Sequence, residues 1–216
     1  HLNNMYINNY FNTTIWSEQK PEFIKSLNKA SNKYIKAARN FSETKKHIKK
    51  FGDFGKSYHS THLTADNDFL DFRNYISQKS WEYLDHQGFD MFQYNTMLSE
   101  MFVQEFSKKG GGHHSAHVNC NQHVSGLYFL KASDKTSYPI FHEPRTGARV
   151  TKLKMKDQKG VLAGSELIHY KPIPGTLIIF PGFLEHEFSV DFGIEPFRFI
   201  HWNITAIPKE MAKDVV

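Results

Sequence analysis

Residues 113–123 read HHSAHVNCNQH, four histidines in eleven positions with no acidic residue among them. Neutral imidazole nitrogens hold divalent transition metals, and such sites usually complete their ligand set with a carboxylate. The stretch therefore asks what would complete the set here. Side chains two apart on a strand share a face, so His117 and Asn119 project together, and an amide oxygen would stand where an acid is expected. His113 and His114 follow three glycines and read as a rim. His123 reads as a turn residue, a supporting residue or a substitute ligand.

A second imidazole must come from elsewhere in the chain. In PGTLIIFPGFLEHEFSV, a turn (Pro174, Gly175), a buried strand (Leu177 to Phe180) and another turn (Pro181, Gly182) deliver His186 to a strand start. Twelve residues on, Arg198 lies between Phe197 and Phe199. An arginine in so apolar a strand is costly to bury without an anion, and its fork suits a carboxylate. Trp202 shares the Arg198 side of that strand, and Asn203 faces the other way.

The elements that must hold these residues divide the chain in two. Residues 1–90 are helical in pattern, and residues 91–207 alternate like strands. Pro21 opens an amphipathic helix in PEFIKSLNKASNKYIKAARNF, with Ile24, Leu27, Tyr34, Ala38 and Phe41 on one face and lysines on the solvated face. SETKKHIKKFGDFGKS, basic and ending in glycines, reads as a loop. DNDFLDFRNYISQKSWEYLDHQG reads as a second helix, with Phe69, Phe72, Ile76 and Leu84 inward and Gly88 at its C-cap. From Phe92 on, TMLSEMFVQEF, SAHVN, VSGLYFLKA, YPIFHE, ELIHYKP, GTLIIFP and FRFIHWNIT are short apolar or alternating runs. Six to eight such strands predict a mainly β fold, a barrel or two-sheet jelly roll, with the N-terminal helices on one outer face. RTGARVTKLKMKDQKGVLAGS reads as a long surface insertion, and GGG at 110–112 as a strand-to-strand turn.

At 216 residues, 39% hydrophobic and 15% aromatic, the chain suits one folded domain and is too apolar for disorder. No apolar run reaches the roughly 18 residues of a membrane span. The opening HLNNMYINNYFN has neither a basic n-region nor an apolar h-region, and Cys120 is the only cysteine. A cytoplasmic protein, with no membrane partner and no disulfide, is the expectation. The net charge of +5 permits a polyanionic partner without requiring one.

The order HxN, a GxYFL strand, PGTLIIFP, a histidine and an arginine on the last strand resembles the 2-oxoglutarate and iron(II)-dependent dioxygenases. More narrowly, it is similar to a small family of oxygenases common in marine bacteria and their phages, which would place a phage-encoded member in the host cytoplasm. That family shows an H-x-x-H-x-H run before SGxYYL, a PR dipeptide, PGxLxxFPxxLxH and an R-x-x-x-x-N strand. Matching residues here are His114, His117, Asn119 where histidine is frequent, Ser125, Gly126, Tyr128, Pro144, Arg145, Gly175, Phe180, Pro181, Leu184, His186, Arg198 and Asn203, across about residues 57–207.

The resemblance implies a double-stranded β-helix and an iron(II) ion held by His117, His186 and a third group, with Asn119 favoured over His123. It implies 2-oxoglutarate as cosubstrate, its distal carboxylate on Arg198, with Tyr128 and Asn203 beside it and Arg145 on the substrate side. Decarboxylation to succinate and carbon dioxide would drive oxidation of a C–H bond, most simply a hydroxylation, in a substrate of open class: small molecule, protein or nucleic acid. A cupin-like metalloprotein without 2-oxoglutarate turnover, and a binding module without metal, are the competing readings. A cosubstrate-free cupin has no need of a buried arginine at 198, and metal content separates the third reading.

Overall fold

The computed structural model describes residues 5–151 and 153–211. After the short strand β1 (Trp16–Gln19), Pro21 opens a 3-10 turn (Pro21–Phe23) that runs into helix α1 (Ile24–Asn40). Its buried residues Leu27, Ala30, Ser31 and Ile35 recur at the three- to four-residue spacing of one helical face. Phe41, expected on that stripe, ends the helix in extended backbone and stays 61% exposed.

The basic segment read as a loop is instead helix α2 (Ser42–Phe51). Its lysines and glutamate are good helix formers, Ile48 packs against the core, and only Gly52, at φ 76°, stops it. Strand β2 (Ser57–His59) follows, then helix α3 (Leu70–His86), which buries Phe72, Ile76, Ser80, Tyr83 and Leu84. Gly88, at φ 93°, closes the end of α3 as its sequence position indicates.

The remaining strands are β3 (Tyr94–Phe106), β4 (His114–His117), β5 (Val124–Lys131), β6 (Pro139–His142), β7 (Leu167–His169), β8 (Thr176–Pro181), β9 (His186–Phe188) and β10 (Arg198–Pro208). They form two antiparallel sheets, one of six strands in the order β1-β8-β5-β10-β3-β2 and one of four in the order β4-β9-β6-β7. The two unforeseen strands, β1 and β2, are the edges of the larger sheet; WSEQ and SYH are too short to show alternation. The insertion between β6 and β7 carries one short helix, α4 (Thr146–Val150).

Two cores result from the period of two along each strand. Met101, Val103, Tyr128, Leu130, Ile200, Trp202 and Ile204 pack against α1 and α3. Phe106, Phe129, Phe141, Phe180, Phe188, Phe197 and Phe199 fill the space between the sheets. On β10, Arg198, Ile200, Trp202 and Ile204 thus belong to the helix side, while Phe199 and its alternates face the second sheet. Among the described residues no helix is long and apolar enough to cross a membrane.

Candidate metal centre

Strands β4 and β9 pair so that His117 lies opposite His186, with ring centroids 4.4 Å apart. Each ring is anchored alike: Nδ1 of His117 is 2.8 Å from the Ser115 carbonyl, and Nδ1 of His186 is 2.9 Å from that of Leu184. A carbonyl only accepts, so Nδ1 carries the proton in both rings and Nε2 keeps its lone pair. His117 is open to solvent and His186 is buried. Burial pulls the His186 pKa down to about 4, against the bond to Leu184, with His117 and His114 lowering it further. At neutral pH it is an uncharged donor.

Asn119 lies just beyond β4. Its backbone N–H donates to the Gly182 carbonyl at 3.0 Å, fastening the 119–123 turn onto the turn that precedes β9. A Cβ on Gly182 would sit 2.3 Å from the Gln122 carbonyl oxygen, so only glycine allows this approach. His117, His186 and Asn119 line one cavity of about 100 Å³ together with Glu100, His114, His201, Asn203 and the rings of Phe180, Phe188 and Phe199. One water needs about 10–15 Å³ on this measure. The space therefore suits an ion and a small acid, not a bulky substrate.

Two imidazole Nε2 atoms and an amide oxygen are donors that a divalent metal accepts. Among the described residues, no three histidine, cysteine or acidic side chains converge as a metal set. Asn119, which lines the same cavity, is the third candidate donor.

The structure separates Arg198 and Tyr128 from this cavity. Arg198 faces the helices, where Nε donates to Glu105 at 2.7 Å and Nη1 to Asn32 at 2.7 Å and Ser31 at 3.0 Å. Burial did require an anion, and Glu105 is that anion. Tyr128 also points to the helix side, its hydroxyl donating to the Lys20 carbonyl at 2.6 Å between Phe23 and Phe72. The pairing of β10 with β3 and β5 accounts for both: Arg198 opposes Glu105, and Ile200 opposes Tyr128.

His123 turns outward, accepting the Ala206 N–H on Nδ1 at 3.0 Å, and is not among the residues lining the cavity. Arg145 lies on an outer loop, paired to Glu143 at 2.9 Å. His113 remains a rim residue, bonded to the Gly111 carbonyl.

Two groups escaped the sequence reading, and His114, read as a rim residue though it matches the family's histidine run, lines the cavity itself. Glu100 and His201 reach the cavity by alternation on β3 and β10, a signal visible only once facing is known. His114 lies on the same side as His117 despite a spacing of three, because the β4–β9 register shifts between them. Its Nε2 lies 2.5 Å from Gln104 Oε1, and burial lowers its pKa to about 4. Gln104 also contacts His201 at 3.1 Å, and burial holds His201 well below the usual imidazole range. A larger groove, about 830 Å³, lies along the 143–169 segment, and none of the three candidate ligands lines it.

Residues 105–193, the stretch that carries both histidines, match the family described as "Putative 2OG-Fe(II) oxygenase". The resemblance is to the 2OG-Fe(II) oxygenases. A Pseudomonas putida prolyl-4-hydroxylase shares this fold at TM-score 0.55 and 11% identity, over 88% of this chain and 92% of that one. A Trichoplax adhaerens prolyl hydroxylase, solved with a hypoxia inducible factor peptide fragment, matches at TM-score 0.55 and 11% identity, over 93% and 86%. The chain spans only 54% of a Burkholderia pseudomallei 2OG-Fe(II) oxygenase-family oxidoreductase, at TM-score 0.41, 12% identity and 66% of this chain. Among curated proteins, none matches. The oxygenase family implies iron(II) and 2-oxoglutarate, and the donor set around the cavity is compatible with that metal.

Proposed function

We propose that the chain is an iron(II)- and 2-oxoglutarate-dependent oxygenase of hydroxylase type, a single domain on a double-stranded β-helix core, with His117, His186 and Asn119 as its metal ligands. The observation that carries this reading is the His117–His186 pair, each ring tied through Nδ1 to a backbone carbonyl and offering Nε2 to one cavity. Such outer bonds fix ring orientation before metal arrives. When bound, the iron and cosubstrate supply the oxidising chemistry, with release of succinate and carbon dioxide.

The protein's part is placement. His186 and the phenylalanines keep the inner wall dry, while the open flank at His117 is where a substrate too large for the cavity presents its reacting carbon. With Arg198 held by Glu105, the cavity-lining polar groups left to meet the cosubstrate's distal carboxylate are His114, His201 and Asn203.

That commitment of Arg198 favours one second reading, a cupin-like metalloprotein without 2-oxoglutarate turnover. Succinate release under air and anaerobic iron(II) titration, on wild type, His117→Ala and His186→Ala, decide between them. The oxygenase reading expects turnover and iron affinity in wild type and loss of both in each variant. Iron binding without succinate supports the cupin-like reading. Equal succinate release from all three proteins refutes the ligand assignment.

A further inference from the structure

Glu100, Asn203 and Ser125 stand side by side across β3, β10 and β5, since Asn203 opposes Glu100 on one flank and Ser125 on the other. Asn203 and Ser125 are buried, and Glu100 forms no ion pair among the described residues. Asn203 Nδ2 donates to Glu100 Oε2 at 2.7 Å. Ser125 Oγ donates to Asn203 Oδ1 at 2.6 Å, and Asn119 Nδ2 donates to Ser125 Oγ at 2.8 Å. The row therefore connects a carboxylate on β3 to the candidate third ligand.

Its direction follows from one end. An ionised carboxylate only accepts, so Asn203 must turn its NH2 toward Glu100 and its carbonyl oxygen toward Ser125. The single hydroxyl proton of Ser125 then goes to Asn203, and Ser125 can only accept from Asn119. Asn119 must spend its NH2 on Ser125, which leaves Oδ1 facing elsewhere.

We infer that Glu100, Asn203 and Ser125 are positioning residues, a directional hydrogen-bond relay that turns Asn119 Oδ1 to the metal side and selects an amide over a carboxylate at position 119. The inference rests on the proposed metal role of His117, His186 and Asn119. It answers the missing acid of HHSAHVNCNQH: the negative charge sits on Glu100, and an aspartate at 119 would set two acceptors against each other at Ser125.

The relay can be run backwards. In Glu100→Gln/Asn119→Asp, the new amide donates to Asn203 Oδ1, Asn203 donates to Ser125, and Ser125 donates to the new carboxylate, with net charge unchanged. Thermal unfolding of the metal-free proteins at pH 7.5 reads the relay without turnover. Asn119→Asp is expected to lose about 3–6 °C, the shift for roughly 1.5 kcal/mol in a chain of this size, and Glu100→Gln less than about 2 °C. The double variant should return to within about 2 °C of wild type and bind iron(II) at least about tenfold tighter, a carboxylate replacing an amide. Glu100→Met/Asn119→Asp removes the like charge but supplies no donor, and should recover less than half of the loss. Additive effects, or equal rescue by methionine, overturn the relay. Absence of iron binding in every protein overturns the metal reading alone, because the metal-free cycle still decides the relay.

Discussion

Replacing Arg198 with methionine separates the two roles an arginine on this strand could play. In the structure its guanidinium neutralises Glu105, and both side chains are 4% exposed. Arg198→Met strands a buried carboxylate and leaves Asn32 and Ser31 without their donor. Breaking a buried pair from one side costs about 3–5 kcal/mol. Glu105 keeps an ion pair with Arg39, and Lys131 lies 3.8 Å away, so the lower end applies, about 3 kcal/mol. In a chain of this size, that lowers Tm by about 6–12 °C. Urea unfolding should give the same loss, and Glu105→Gln in the same background should recover part of it by removing the uncompensated charge. The affinity of the iron-loaded variant for 2-oxoglutarate should stay within about threefold of wild type. If that affinity falls by about 30-fold or more while stability drops by under 1 kcal/mol, Arg198 anchors the cosubstrate and the helix-side geometry is not the working one.

Tyr128→Phe removes a buried hydrogen bond to the Lys20 carbonyl. It should cost about 1 kcal/mol in urea unfolding and leave 2-oxoglutarate affinity unchanged, and a tenfold loss of that affinity would contradict its placement. The metal-free protein should also lose stability in mild acid. His186 is held to about 4 by burial, against about 6.5 when unfolded, so between these values the unfolded chain binds more protons. Stability is therefore complete above about pH 6.5 and declines toward pH 4, with about 2 kcal/mol lost at pH 5 from His186 alone. An unfolding midpoint in urea that does not move between pH 7.5 and 5 refutes that burial.

The sequence by itself determined most of the elements, though not α2, β1 or β2, and the placement of the two candidate imidazole ligands on strands. Local rules are enough for that: a period of 3.6 over Leu27 to Ile35, a period of two along β3 and β10, and turn residues around Leu177 to Phe180 that set His186 at the start of β9. Alternation even put Trp202 on the same side as Arg198. Which side faces the second sheet was decided only by tertiary structure, because parity is a relative property until packing against α1 and α3 fixes one face as outer. That choice removed Arg198 and Tyr128 from the cavity and admitted Glu100 and His201. The register shift in β4 brought in His114, and cross-strand neighbours far apart in the chain joined Glu100 to Asn119. Such contacts depend on how sheets stack and pair, and no window along the chain contains both partners.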